Sequence, residues 1–142
     1  MNSAEKYRWF SAVIVVGLLY VLVGIVFPNP PVSDPTQFIW RLAAWIISAV
    51  TFGAHFWYEN FRLRNSPRRT ALHVSMAVAL GAFGLAVLAN IHSLQAGAGN
   101  RLLLALALVI WPIMTGMPAF VVALAAAFGL ARIRSHDKPK SE

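Results

Sequence analysis

The chain has 142 residues, of which 58% are hydrophobic and only 12% charged, with a mean hydropathy of +0.64. This composition is too apolar for an ordinary soluble domain, so it predicts a polytopic membrane protein without a separate soluble catalytic domain. The chain contains no cysteine, which excludes thiol catalysis, cysteine-ligated metals and covalent haem attachment. Its net charge of +7 comes from basic clusters beside apolar segments, and it therefore indicates membrane topology rather than nucleic-acid binding.

Four apolar segments are each long enough to cross a bilayer as a helix. No small-residue cleavage site follows the first segment, so we expect it to be retained rather than removed as a signal peptide. Ser33 or Asp34, just before Pro35, is a plausible start signal for the second helix. The fold class predicted is an all-α membrane protein, a single four-span domain with spans at about 9–27, 36–59, 70–91 and 102–133.

The distribution of Lys and Arg predicts the orientation of these spans. There are two basic residues before the first span, none in the first loop, four in loop 60–69, one in the third loop and four at the chain end. The positive-inside bias then places the basic loop 60–69, the basic tail 134–142 and both termini in the cytoplasm. We expect an integral protein of a bacterial inner membrane, whose basic residues also contact anionic lipid headgroups.

The fourth span is interrupted at its centre by the segment 112–118. As one helix of about 32 residues it would be roughly 48 Å long, well over the ~30 Å of bilayer hydrocarbon. Proline removes a backbone donor and clashes with the preceding turn, so we expect a kinked or broken helix close to the midplane. A break of this kind would expose backbone groups to a substrate. The residues of this predicted midplane site are Pro112, Thr115, Gly116 and Pro118.

The second span carries a stripe of polar side chains. On a helix at 100° per residue they fall in one sector about 100° wide, which should face the bundle or a water-filled cavity because polar groups facing lipid are costly. Two interpretations stay open: hydrogen bonds that only orient the helices, or a polar path or ligand site. The stripe consists of Arg41, Ser48, Thr51, His55 and Glu59.

His55 and His73 lie on consecutive antiparallel spans at similar depth, so they could face each other across the bundle. Two opposed imidazoles suit a bis-histidine b-type haem, and together with Glu59 they could instead hold a divalent metal. A pair of this kind is also compatible with hydrogen-bonded structure or with a proton-sensitive group.

Small residues recur on one face of three of the spans. Such faces let neighbouring helices approach closely, and we expect them to pack against other helices. They offer more close-packing surface than a four-helix monomer can use internally, which favours association with further chains. These residues are Gly17 and Gly24 on the first span, Ala77, Gly81 and Gly84 on the third, and Ala119, Ala123 and Ala127 on the fourth.

No nucleophile-elbow, zincin, P-loop or dinucleotide-binding motif occurs in the chain, so we expect a protein that is not an enzyme. The leading hypothesis is a non-catalytic accessory subunit without a cofactor, forming a homo- or hetero-oligomer with membrane proteins. The second is a small transporter or channel with its site at the interrupted fourth span. The third is a membrane protein that holds haem or a metal through His55 and His73.

Overall fold

The computed structural model describes residues 3–27, 33–97 and 100–136, and side-chain surroundings for residues 7–27, 33–97 and 100–133. Within these ranges the chain is helical throughout, with no strand. This confirms the all-α prediction. The elements are α1 Ser3–Val26, α2 Gln37–Trp57, a π-helix Tyr58–Arg62 that continues α2, α3 Pro67–Gln95 and α4 Arg101–His136.

Each of the four long helices contains a segment long and apolar enough to cross a membrane. The mean hydropathy of these segments lies between 1.3 and 2.6. Large apolar side chains cover their outer surfaces, as expected for helices surrounded by lipid rather than water. The chain therefore has the features of an integral membrane protein with four spans. The orientation with both termini in the cytoplasm stays a prediction.

The connection between α2 and α3 is shorter than the predicted basic loop 60–69. The helix continues through Arg62, and α3 begins at Pro67, so only residues 63–66 connect them. Ser66 is extended, with φ −64° and ψ 153°, and Pro67 occupies the first turn, where its missing N–H costs no hydrogen bond. Arg64 has a φ of 50°, which lets the chain reverse within these few residues. Of the predicted tail 134–142, residues 137–142 lie outside the described part.

The start of α2 depends on Asp34, one of the two residues predicted for this role. Its carboxylate accepts hydrogen bonds from the hydroxyl of Thr36 at 2.7 Å and from the N–H of Thr36 at 2.8 Å. These hydrogen bonds lower the pKa of Asp34 below its ordinary value, and the bond from the hydroxyl has the larger effect. The carboxylate thus fixes the turn from which the helix begins.

Helix α3 lies at the centre of the bundle, between α1 and α4. Glycines allow α1 to approach it closely. A Cβ atom on Gly81 would lie 2.5 Å from the Cβ of Tyr20 and 3.2 Å from the carbonyl oxygen of Gly17. Gly84 and Gly24 likewise leave room for Val21 and Leu85 across the same interface. These four predicted glycines therefore pack α1 against α3.

The alanine row of α4 is used in the same way against α3. Ala123 and Ala127 are buried, Ala119 is half-buried, and Ala77 on α3 is also buried. A Cβ atom on Gly116 would lie 3.2 Å from the Cβ of Ala79 on α3. The small-residue faces thus pack helices together within one chain. The expectation that they also bring further chains together stays a prediction.

Helix α4 is assigned as helical at every residue from Arg101 to His136, with Pro112 and Pro118 inside it. The hydroxyl of Thr115 donates to the carbonyl oxygen of Trp111 at 2.9 Å and lies 3.3 Å from that of Pro112. The interruption therefore does not unwind the backbone, although a bend of the helix axis there stays a prediction. The hydroxyl of Thr115 therefore donates its hydrogen bond within its own helix.

Candidate functional site

The carboxylate of Glu59 lies at the end of α2, where the helix widens into the π-helix. The N–H of Leu63 donates to the carbonyl oxygen of Tyr58, five residues earlier, at 3.1 Å. This wider turn brings both Glu59 and Asn60 into the interior, although neighbouring residues of an α-helix point 100° apart. Glu59 is 0% exposed. Single π turns inside helices often mark functional positions.

Three side chains surround this carboxylate. Nδ1 of His73 lies 2.9 Å from Oε2, and Nε2 of His55 lies 3.5 Å from Oε1. Asn65 donates its side-chain N–H to Oε2 and its backbone N–H to the carbonyl oxygen of Glu59, the latter at 3.2 Å. We call His55, Glu59, Asn65 and His73 the Glu59 cluster. It joins α2, the following connection and α3.

Helix α1 closes the cluster from the third side. The indole of Trp9 stacks on the imidazole of His73, with ring centroids 4.5 Å apart and planes inclined by 11°. Thr70, one turn before His73 on α3, is also completely buried. Three helices thus converge on one carboxylate at the end of the bundle where α1 and α3 begin and α2 ends.

A buried carboxylate inside a spanning helix is costly unless other groups compensate its charge. Because a carboxylate can only accept, Nδ1 of His73 must carry the proton that it shares with Glu59. His55 is at the outer limit of hydrogen bonding, and within the described part of the chain neither of its ring nitrogens has a hydrogen-bond partner. A further proton on His55 would convert this near contact into a charge-assisted bond.

The predicted polar stripe divides into separate parts. His55 and Glu59 belong to the cluster, whereas Ser48 and Thr51 are only half-buried and Arg41 is exposed at the other end of α2. Thr51 lines a groove with His55, but Ser48 lines a different hollow. The stripe does not form one continuous path.

His55 and His73 do not face each other across an open slot. Each approaches a different oxygen of Glu59, and Trp9 covers the ring of His73. A haem iron needs imidazole nitrogens directed at it from both sides, and this arrangement offers no such pair. Among the residues that the structure describes, no group of three or more acidic, histidine or cysteine side chains is arranged to hold a metal ion. The haem and metal hypotheses gain no support from this geometry.

The predicted midplane residues lie in largely apolar surroundings. Pro112 and Gly116 line a hollow of about 320 Å³ beside α3. Thr115 and Ser48 share another, of about 380 Å³, with Tyr20 of α1. The two sequence features thus meet at one place in the bundle, but the hydroxyl of Thr115 is already bonded to its own helix. No charged side chain is among the residues that line either hollow.

A larger groove runs between α1 and α2 and reaches the cluster at His55. Its volume is about 710 Å³, within the roughly 300–1,000 Å³ typical of sites for small ligands. Its walls are apolar along most of their length and carry hydroxyl groups and one arginine towards the basic end. We call it the α1–α2 groove; it is lined by Tyr7, Arg8, Ser11, Ala12, Val15, Val16, Leu19, Val50, Thr51, Ala54, His55 and Tyr58.

Sequence reasoning missed Trp9, Asn60 and Asn65 as members or neighbours of the cluster. Trp9 carried only the signal of an aromatic residue at a membrane interface, and Asn65 that of a polar loop residue. The π-helix, which turns Glu59 and Asn60 inward together, has no pattern in the sequence that predicts it. Comparison of the chain with known protein families, with curated proteins and with solved structures finds no match.

Proposed function

We propose that this chain is a small, non-catalytic, proton-linked transporter, with the Glu59 cluster as its proton-binding centre. We place it in a bacterial inner membrane with the cluster near the cytoplasmic side. The observation that carries the proposal is the completely buried carboxylate of Glu59, which two histidines approach within the spanning helices. Ionisable groups of this kind are rare inside membranes because they are costly, and they commonly belong to proton pathways.

The surroundings of the cluster support a transport role over a purely structural one. Hydrogen bonding alone would orient α2 and α3 at lower cost with neutral side chains. Instead the cluster combines three titratable groups, and His55 keeps a ring nitrogen without a partner among the described residues. His55 also lines the α1–α2 groove, so a substrate there would meet the group that takes up the proton.

Proton flux into vesicles tests this proposal. The purified chain is reconstituted with the total lipid of its own membrane, so that a membrane-borne substrate is present, and a pH-sensitive dye is enclosed. With an acidic outer buffer and the membrane potential clamped at zero, we expect faster acidification than in protein-free vesicles. Glu59→Gln keeps the size of the side chain and one acceptor oxygen but cannot titrate. It should reduce the flux at least tenfold.

His92→Gln is the matched control, because His92 is exposed near the other end of α3 and should leave the flux unchanged. Thermal unfolding confirms that each variant folds before its flux is compared. Wild-type flux equal to that of protein-free vesicles would refute the proposal. So would a folded Glu59→Gln variant that conducts as well as the wild type, since the cluster would then be structural.

An accessory subunit that joins a larger complex is the second candidate. Its support was the excess of small-residue faces, and these faces now pack helices within one chain. The outer face of α2 still favours the accessory-subunit candidate. Trp45 on this face is 75% exposed within the span, although tryptophan prefers the membrane interface. Native mass spectrometry after mild extraction tests it: a larger assembly of fixed stoichiometry would raise this candidate above the transporter.

A further inference from the structure

We infer that the α1–α2 groove binds the carboxylate form of a long-chain fatty acid, with its head at His55 and its tail along α1. The inference names the substrate class for the transporter proposed above and rests on that proposal only for the transport step. The binding site itself rests on the shape of the groove, on the charge of its lining and on Nδ1 of His55, which has no hydrogen-bond partner among the described residues.

The groove has the length and the opening that an acyl chain requires. Tyr7 and Leu19 mark its ends on α1, and twelve residues of helix span roughly 18 Å. That is a little more than half of the ~30 Å hydrocarbon core, so the groove extends along about one leaflet. Val15, Leu19 and Val50 on its walls are 56%, 41% and 66% exposed, which shows that it opens to the lipid side of the bundle.

His55 supplies the contact for the head. Its side chain is 2% exposed, and neither ring nitrogen has a hydrogen-bond partner in the described part of the chain. A buried polar group without a partner calls for an explanation, and a bound polar group is one. A carboxylate is the smallest anionic head that a lipid carries, so it suits so deeply buried a side chain better than a bulkier glycerophosphate head.

The residues that line the groove favour an anionic head. Arg8 lines the groove from α1, and no Asp or Glu is among its lining residues. Tyr7, Ser11, Thr51 and Tyr58 add hydroxyl donors. The titratable and charged groups around His55 are thus Tyr7 and Arg8 of α1, Tyr58 and Glu59 of α2, and His73 of α3.

Binding of the carboxylate is coupled to uptake of one proton. An imidazolium at His55 can donate from Nε2 to Glu59 and from Nδ1 to the bound carboxylate, so both contacts become charge-assisted. A neutral imidazole has one N–H and can serve only one of them. The anionic ligand and the proton therefore enter together, with no net change of charge.

Photocrosslinking tests the site directly. The full chain in lipid nanodiscs is labelled with a diazirine-bearing long-chain fatty acid, and the labelled peptides are identified by mass spectrometry. We expect label on α1 and α2 at the groove walls. Oleate should compete for it, whereas oleyl alcohol, with the same tail and no charge, should compete at least tenfold less well. His55→Gln should weaken oleate competition about tenfold, because hydrogen bonds to charged groups are strong.

Ala54→Phe fills the groove without changing the Glu59 cluster and should abolish labelling. Ala49→Phe is the matched control, since Ala49 is exposed on α2 outside the groove. Label spread evenly over the lipid-facing surface of all helices would overturn the inference, as would equal competition by oleyl alcohol. Equal competition by diacyl phosphatidylglycerol would identify the occupant as an ordinary bilayer lipid and equally reject the fatty acid.

The two proposals fail in distinguishable ways. Specific labelling without any proton flux that depends on Glu59 would leave the binding site standing and reject the transporter. Flux that depends on Glu59 but survives Ala54→Phe would leave the transporter standing and reject the fatty acid as its substrate.

Discussion

The proline segment of α4 and the Glu59 cluster both interrupt a regular apolar helix, but they satisfy their polar groups in different ways. In the proline segment, Thr115 donates its hydroxyl to a carbonyl oxygen of its own helix, and Gly116 packs against α3. In the cluster, the carboxylate of Glu59 is hydrogen-bonded to Asn65 and His73, which lie beyond α2, and His55 of its own helix lies 3.5 Å away. The hydroxyl of Thr115 is thus satisfied within one helix, whereas the carboxylate of Glu59 depends on the assembled bundle.

This difference indicates where to look for chemistry in a small membrane protein. The hydroxyl of Thr115 and the backbone carbonyl oxygen that it contacts are neutral groups, which a helix can satisfy within itself. A carboxylate carries charge and must be compensated by groups that pack around it. Prolines inside a spanning helix can therefore leave its structure almost unchanged, whereas one acidic residue at the edge of a span can bring three helices together.

The largest expected effect comes from removing the carboxylate. Glu59→Ala leaves His55 and His73 without their shared partner and opens a cavity between α2 and α3. We expect the free energy of unfolding to fall by about 3–5 kcal/mol, as for one partner lost from a buried ion pair. Unfolding in mixed micelles measures it. Glu59→Gln, which keeps the volume and one acceptor, should lose clearly less. Equal losses would contradict this and show that the charge itself stabilises the cluster, rather than the volume or the remaining acceptor.

A smaller effect is expected at Gly116, which separates a packing role from a substrate-binding role. Gly116→Ala places a methyl group 3.2 Å from the Cβ of Ala79, so α3 and α4 must separate slightly. We expect a loss of about 1–2 kcal/mol through overpacking. Gly129→Ala in the same helix is the matched control, because nothing lies within 4 Å of a Cβ there. If both variants behave alike, Gly116 does not pack α4 against α3.

The smallest effect is expected from Thr115→Ala. The lost hydrogen bond lies within α4, and the carbonyl oxygen of Trp111 also keeps its place in the helical backbone ladder. We expect a change within about 0.5 kcal/mol in stability and no change in proton flux. A tenfold loss of flux in a folded Thr115→Ala variant would return the functional site to the proline segment and reverse the comparison.

Several particular features were within reach of sequence reasoning. The apolar runs predict four helices, and Asp34 before Pro35 predicts the start of α2. The periodicity of α2 turns His55 and Glu59 towards the interior, and the recurrence of small residues identifies the face on which α1 approaches α3. Each of these follows from residues of one helix, because hydrophobic burial and close packing depend on spacing along that helix.

Other features were outside its reach. The basic loop was predicted too long because helix continuation through Arg62 depends on the π-helix, which no local propensity signals. The sequence identified the small-residue faces but not which helix packs on which, because that depends on contacts between helices. Asn65 and Trp9 were passed over because their partners lie on other elements.

The sequence by itself determined the class of the molecule, since four long apolar helices need only composition and chain-local periodicity to form in a bilayer. Only the tertiary structure decided that the chemistry gathers at Glu59. A buried charge is tolerated solely where groups distant in the sequence converge on it, and that convergence belongs to the packing of α1, α2 and α3 rather than to any one of them.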